Sequence, residues 1–195
     1  MARPKAFDRD EALQAGVTVF WQQGYAATTT DHLARAMGIG RQSFYDTFGD
    51  KRRCYLEALR RYSNDEIGRQ ITVMRRLAPL DGLRALLRGP ADAPKARRGL
   101  GCLAVNAFTE HGGQDAEILA ALKPSGEQLQ AAVADVLREA RARGDVAASL
   151  DERRVARALV TVRAGLMVRA KAGAPPSELR EVADFAVDQL AAASG

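Results

Sequence analysis

Apolar residues recur along this chain at intervals of three and four, the period of one helix face. They almost never alternate as a half-buried strand requires. The first such stretch predicts a helix over 8–23. Asp8 with Glu11 makes a capping-box-like start, Leu13, Val17, Phe20 and Trp21 form the apolar stripe, and Gly24 is the expected stop. A second helix opens at Thr29 or Thr30 and ends near Met37, with Gly38 supplying the turn, and a third covers 40–48. Asp50 then caps a long helix over 51–77, closed by Pro79. Helices follow over 80–88 and 101–110, with the Pro-rich basic stretch 89–98 read as a loop between them. A helix over 115–143 is expected to kink or split at Pro124, and two more cover 151–171 and 177–192. The fold class is all-α, with about nine helices and no sheet.

Composition narrows the picture further. The chain is 47% hydrophobic and 27% charged, which is enough apolar surface for a core. No run approaches the roughly 18 apolar residues of a membrane span, and no apolar stretch follows the charged first residues, so a cytoplasmic protein with no membrane partner is expected. Cys54 and Cys102 are far apart with no metal-ligand spacing, so no metal and no cofactor is expected. With two histidines, no HExxH, no Gly-rich phosphate loop and no paired carboxylates, the sequence offers no catalytic machinery. Residues 1–99 carry 18 Lys and Arg against 11 Asp and Glu, and the remainder carries 11 against 13. A front half of +7 joined to a back half of −2 suits a polyanion-binding head on a near-neutral body.

The stretch 24–51 is the most specific. Two short helices meet at a tight turn and lead straight into a third, the plan of a helix-turn-helix reader. Leu33 and Met37 would face inward from the second helix, with Ile39, Phe44 and Phe48 from the third. Ala34 falls where the helices cross, and Gly38 can adopt the left-handed turn. The opposite face of the third helix then shows Arg41, Gln42, Tyr45 and Thr47, with Ser43 beside them. Arginine can make a bidentate pair with guanine, and glutamine with adenine. Tyr45, Lys51, Thr28, Thr29 and Thr30 suit phosphate oxygens, and Arg3 and Lys5 form a basic arm that could reach a groove or phosphates.

Gly24-Tyr25, Thr28-Thr29, Ala34, Gly38, Ser43-Phe44-Tyr45, Phe48 and Lys51 together resemble the DNA-binding domain of the TetR/AcrR family of bacterial transcriptional regulators, over about residues 8–60. Gly40 departs from the family's usual Ser or Thr cap, and Asp46 puts an acid beside the presumed phosphate contacts. Gly101-Cys102-Leu103-Ala104-Val105-Asn106 is similar to a G-C-L-x-x-N stretch in one branch of that family. The resemblance implies a helix-turn-helix domain over 1–53 and a helical ligand-binding and dimerisation domain over 54–195. It also implies a sequence-specific regulator, a repressor released by a small-molecule effector, with double-stranded, palindromic operator DNA and a second copy of the chain as partners. A ligand-independent DNA-binding protein, or a regulator that senses oxidants or electrophiles through Cys102, are the alternatives.

For the back half, the apolar positions offer Ile71, Met74, Leu86, Leu87, Cys102, Val105, Val133 and Met167 as pocket lining. Asn106, Thr109, His111 and Arg163 are the candidate polar anchors. Val155, Leu159, Val162 and Leu166 make one stripe on the penultimate helix, and Val182, Ala186 and Leu190 make another on the last. Paired across two copies, these would form a four-helix dimer interface.

Overall fold

The computed structural model describes residues 7–111 and 114–192, and among them the chain forms ten α-helices and no strand. They are α1 (Arg9–Ala27), α2 (Thr30–Ala36), α3 (Arg41–Phe48), α4 (Lys51–Arg75), α5 (Pro79–Asp92), α6 (Lys95–Leu100), α7 (Leu103–His111), α8 (Ala116–Arg143), α9 (Glu152–Lys171) and α10 (Pro176–Ala192). Five starts are fixed by side chains that take otherwise unpaired N–H groups. Asp8 caps α1, Thr29 α2, Asp50 α4, Asp115 α8 and Asp151 α9. No described helix is long and apolar enough to cross a membrane.

Three expectations about boundaries are corrected. Gly24 does not end α1. It breaks it at φ 76°, and one more helical turn follows to Ala27. The expected loop over 89–98 is mostly helical: α5 runs on through Pro90 to Asp92, and α6 begins at Lys95. Pro124 does not split α8. It sits on an exposed face, as does Ala120, so solvent can take the carbonyl left without a donor.

Two apolar cores hold the helices. The first gathers α1, α2, α3 and the front of α4 with α7 and the start of α8, around Phe20, Leu33, Phe44, Tyr55 and Leu103. The second gathers the back of α4 with α5, α8, α9 and α10, around Met74, Leu83, Leu87, Val133, Leu137 and Leu179. Leu33, Met37, Phe44 and Phe48 are buried and Ile39 half-buried, and Gly38 turns at φ 66°. The packing does not break at residue 53, because Ala107, Ile118 and Leu122 belong to the same core as the first three helices.

Candidate functional site

Burying Phe44 and Phe48 turns the other side of α3 to solvent. Arg41, Gln42, Tyr45 and Asp46 are exposed there, and Tyr45 stands edge-on to Phe44 at 5.6 Å. Gly40 offers α3 no side-chain cap, so the N–H groups of its first turn stay open. Arg41 and Gln42 each have an acidic partner. Arg41 donates through both Nε and Nη2 to the Asp31 carboxylate, and Gln42 Nε2 donates to Asp46 at 2.9 Å. The hydrogen bond from Arg41 holds the Asp31 carboxyl below its usual pKa and raises that of the guanidinium. Arg35 and His32, both exposed, also lower the Asp31 pKa and so share this surface, although the sequence had not singled them out.

Other expected contacts fall elsewhere. Thr28 is buried, and its hydroxyl donates to Gly24 O at 2.6 Å, so it cannot reach a phosphate. Thr29 is exposed while capping α2, Thr30 is half-buried, and Ser43 is half-buried on α3. Thr47 turns its hydroxyl inward, where it is buried without a partner. Lys51 donates to Tyr25 O and Thr28 O, both at 2.9 Å, and its ammonium lies 4.1 Å from the Tyr25 ring centroid. A cation is disfavoured at the N-terminus of its own helix and favoured at the C-terminus of another. Lys51 therefore turns back onto the end of α1, where it helps to hold the head. Arg3 and Lys5 lie outside the described residues.

A cavity of about 340 Å³, open on one side, lies between α4, α5, α6 and α9. Of the expected lining, Leu86, Cys102, Arg163 and Met167 are there. Met74, Leu87 and Val133 instead belong to the second core, Ile71 packs against it, and Val105 packs on the first. Asn106 donates to Leu100 O and accepts from Lys171, while Thr109 is exposed and donates to Val105 O and Asn106 O. His111 packs against the rings of Tyr25 and Tyr55, away from the cavity. The sequence reading missed Tyr62, Glu66 and Gln70, which recur at four-residue spacing along α4, and Arg97 on α6.

Charge in this cavity is unevenly satisfied. Glu66 accepts from Arg69, from Arg97 at 2.5 Å and from Gln70 Nε2 at 2.6 Å. Gln70 Oε1 is buried without a donor. Arg163 is 7% exposed, its Nε is buried without an acceptor, and among the described residues no ion pair reaches its guanidinium. Burial lowers its pKa, partly opposed by Cys102, Glu66 and Tyr62. Burial also raises the Tyr62 pKa, and it pushes Cys54, in the first core, up to about 12, far from a reactive thiolate.

The cavity wall touches the head directly. Trp21 of α1 donates to Gly101 O at 3.1 Å, packs edge-on to Tyr62 at 5.0 Å and lies under Arg97 at 5.4 Å. Farther along α7, Glu110 accepts from Tyr25 N at 3.0 Å and Ala26 N at 2.8 Å, the donors freed by the break at Gly24. Arg52 adds ion pairs to Asp115 and Glu117 at the start of α8.

The expected dimer stripes are partly consumed inside the chain. Leu159 and Leu166 are buried in the second core, and Val155, Val162, Ala186 and Leu190 are half-buried against it. Outward-facing apolar groups on α9 and α10 are Val168, Val182 and Phe185, the last 64% exposed.

Residues 12–58 match the family model described as bacterial regulatory proteins, tetR family, and residues 79–186 match a tetracyclin repressor-like C-terminal domain. The chain is 29% identical to an uncharacterized HTH-type transcriptional regulator, YezE of Bacillus subtilis, over 97% of this chain and 100% of that protein. It is 27% identical to the HTH-type transcriptional repressor ComR of Escherichia coli, over 93% and 88%. Among solved structures, a cysteine mutant of the TetR family transcriptional regulator CifR, complexed with 26-bp double-strand operator DNA, superposes with a TM-score of 0.78. The identity is 30%, over 97% of this chain and 100% of that one.

Proposed function

The chain belongs to the tetR family of bacterial regulatory proteins, and from that premise we propose that it is a homodimeric transcriptional repressor released from operator DNA by a small molecule. The observation that carries this reading is the exposed face of α3. Arg41 and Gln42 stand on it with hydrogen-bonding heads outward, above a core that fixes the helix through Phe44 and Phe48. Such a face fits the major groove, where arginine and glutamine distinguish guanine and adenine. The naming of ComR as a repressor and the operator complex of CifR support the same reading. Working on DNA, the protein acts in the cytoplasm.

The dimer forms through α9 and α10, with Phe185, Val182 and Val168 at its centre. A two-fold pair would present two α3 helices to half-sites about one DNA turn, roughly 34–36 Å, apart. Release follows from the wall shared by cavity and head. An effector that shifts Tyr62, Arg97 or Gly101 moves the support of Trp21, and α7 carries the same shift to Glu110 and the end of α1. DNA affinity then falls by the ratio of effector affinities in the two arrangements.

The test is binding of the purified protein to DNA flanking its own coding region, at two salt concentrations with random DNA as competitor. Binding that survives competitor at physiological salt is expected. Loss to both salt and competitor, on every flanking fragment, would reduce the basic head to a general polyanion surface.

A further inference from the structure

We infer that the cavity takes a small organic acid, with the carboxylate of that acid seated on Arg163. The inference rests on the reading of this cavity as the effector site.

A buried guanidinium without a counter-charge is among the costliest groups a protein interior can hold, so buried arginines are ordinarily paired. Arg163 is not. Its Nε is buried without an acceptor, and no ion pair reaches it among the described residues. The acids on the cavity wall are already engaged. Glu66 takes Arg69, Arg97 and Gln70, and Asp92 takes Arg180. On α6, Arg98 donates to Ala93 O and meets no carboxylate among the described residues, so a second cation adds to the positive potential. The lining carries Arg69, Arg97, Arg98 and Arg163 against Glu66 and Asp92.

Geometry selects the kind of anion. The planar fork of arginine matches a carboxylate through two parallel hydrogen bonds. Leu86, Pro90, Met167 and Ala170 form an apolar wall beside it, which disfavours a bare hydrated ion and favours an apolar body. One unpaired buried cation calls for one negative charge.

The full-length protein is tested by thermal shift and calorimetry with acetate, butyrate, hexanoate, benzoate and phenylacetate. Hexanamide, benzamide and inorganic phosphate are run beside them. Hexanoate or benzoate is expected to bind at least about tenfold tighter than its amide and than phosphate. Arg163→Met should lose that preference while its ligand-free melting midpoint stays the same or rises, since an unpaired buried charge has been removed. Arg163→Lys should keep the preference with reduced affinity. If Arg163→Met does not fold, the acid–amide comparison on the natural chain and on Arg163→Lys still decides.

Equal binding of acids and amides would overturn the inference. Phosphate binding as well as the organic acids, or no shift with any probe, would overturn it too. DNA binding is read separately. An acid that binds without changing affinity for flanking DNA would leave the anion site standing and remove its role in release. DNA released by a neutral compound while no acid binds would keep the regulator and discard the acid.

Discussion

On α3 the guanidinium of Arg41 is exposed and gripped by Asp31, whereas in the cavity the guanidinium of Arg163 is buried and meets no carboxylate among the described residues. The same side chain is used in opposite ways at the two ends of the molecule. At the surface, water screens an ion pair, so exchanging a carboxylate for a phosphate or a base edge costs little. In the interior no such exchange is available, and a missing partner is felt in full. The head therefore waits for its polyanion with its charges provisionally satisfied. The cavity waits with a charge left open, which ties its occupancy to one kind of chemistry.

The largest expected effect tests which cations of the head are free at all. Lys51→Met removes two charge-assisted hydrogen bonds to the end of α1, and should cost about 3 kcal/mol of stability. If Lys51 met a phosphate instead, the variant would melt normally and the slope of log affinity against log salt would fall by about 1. A lowered melting midpoint with an unchanged salt slope is the expected result.

Next comes the other end of the comparison. Glu66→Gln leaves Arg97 and Arg69 without their carboxylate and gives the cavity further open cations. Both partners are part-exposed, so the loss should be about 2 kcal/mol rather than the 3–5 of a fully buried pair. Carboxylate probes should bind more tightly to this variant than to the natural chain. A calorimetric titration that found weaker binding would show that Glu66 organises the site rather than opposing the anion.

These contrasts explain what was legible in the sequence. The helices were legible because their caps and apolar stripes are local: Asp8, Thr29, Asp50 and Asp151 sit where each helix begins. The exposure of Arg41, Gln42 and Tyr45 followed from burying Phe44 and Phe48, although Thr47, expected beside them, turns its hydroxyl inward. The cavity was not legible in the same way. Choosing apolar positions selected Met74, Leu87 and Val133, which fill the second core, because an apolar helix face is buried wherever another helix covers it. The wall is instead the mixed face carrying Tyr62, Glu66 and Gln70. That face becomes a site only where α4, α5, α6 and α9 fail to close on one another. The inward turn of Lys51 was hidden for a similar reason. Its acceptors, Tyr25 O and Thr28 O, are exposed by a break at Gly24 that the apolar pattern reads as an end.

A smaller effect concerns base reading. Arg41→Ala should lower preference for the operator over random DNA by about tenfold or more, with little change in melting midpoint. Gln42→Ala should do the same at a different base pair. If either variant weakened operator and random DNA equally, its side chain would be a phosphate contact, and the reading face would lie elsewhere on α3.

The smallest effect isolates the provisional partner itself. Asp31→Asn leaves Arg41 in place but removes the carboxylate that holds it and one negative charge from the surface. Affinity for random DNA should rise a few-fold, on the order of one further released counterion, with a steeper salt dependence. Preference for the operator should change little, because operator and random DNA alike no longer have to compete with Asp31 for Arg41. The gain should be flat between about pH 5 and 8. Arg41 depresses the Asp31 pKa below 3.8, so the carboxylate is charged throughout that range, and its grip is lost only as pH falls through the lowered value. Should Asp31→Asn instead weaken operator binding and random binding together, Asp31 would be the residue that aims Arg41. The surface pair would then be a fixed part of the reading face, and the contrast with the open charge in the cavity would narrow to burial alone.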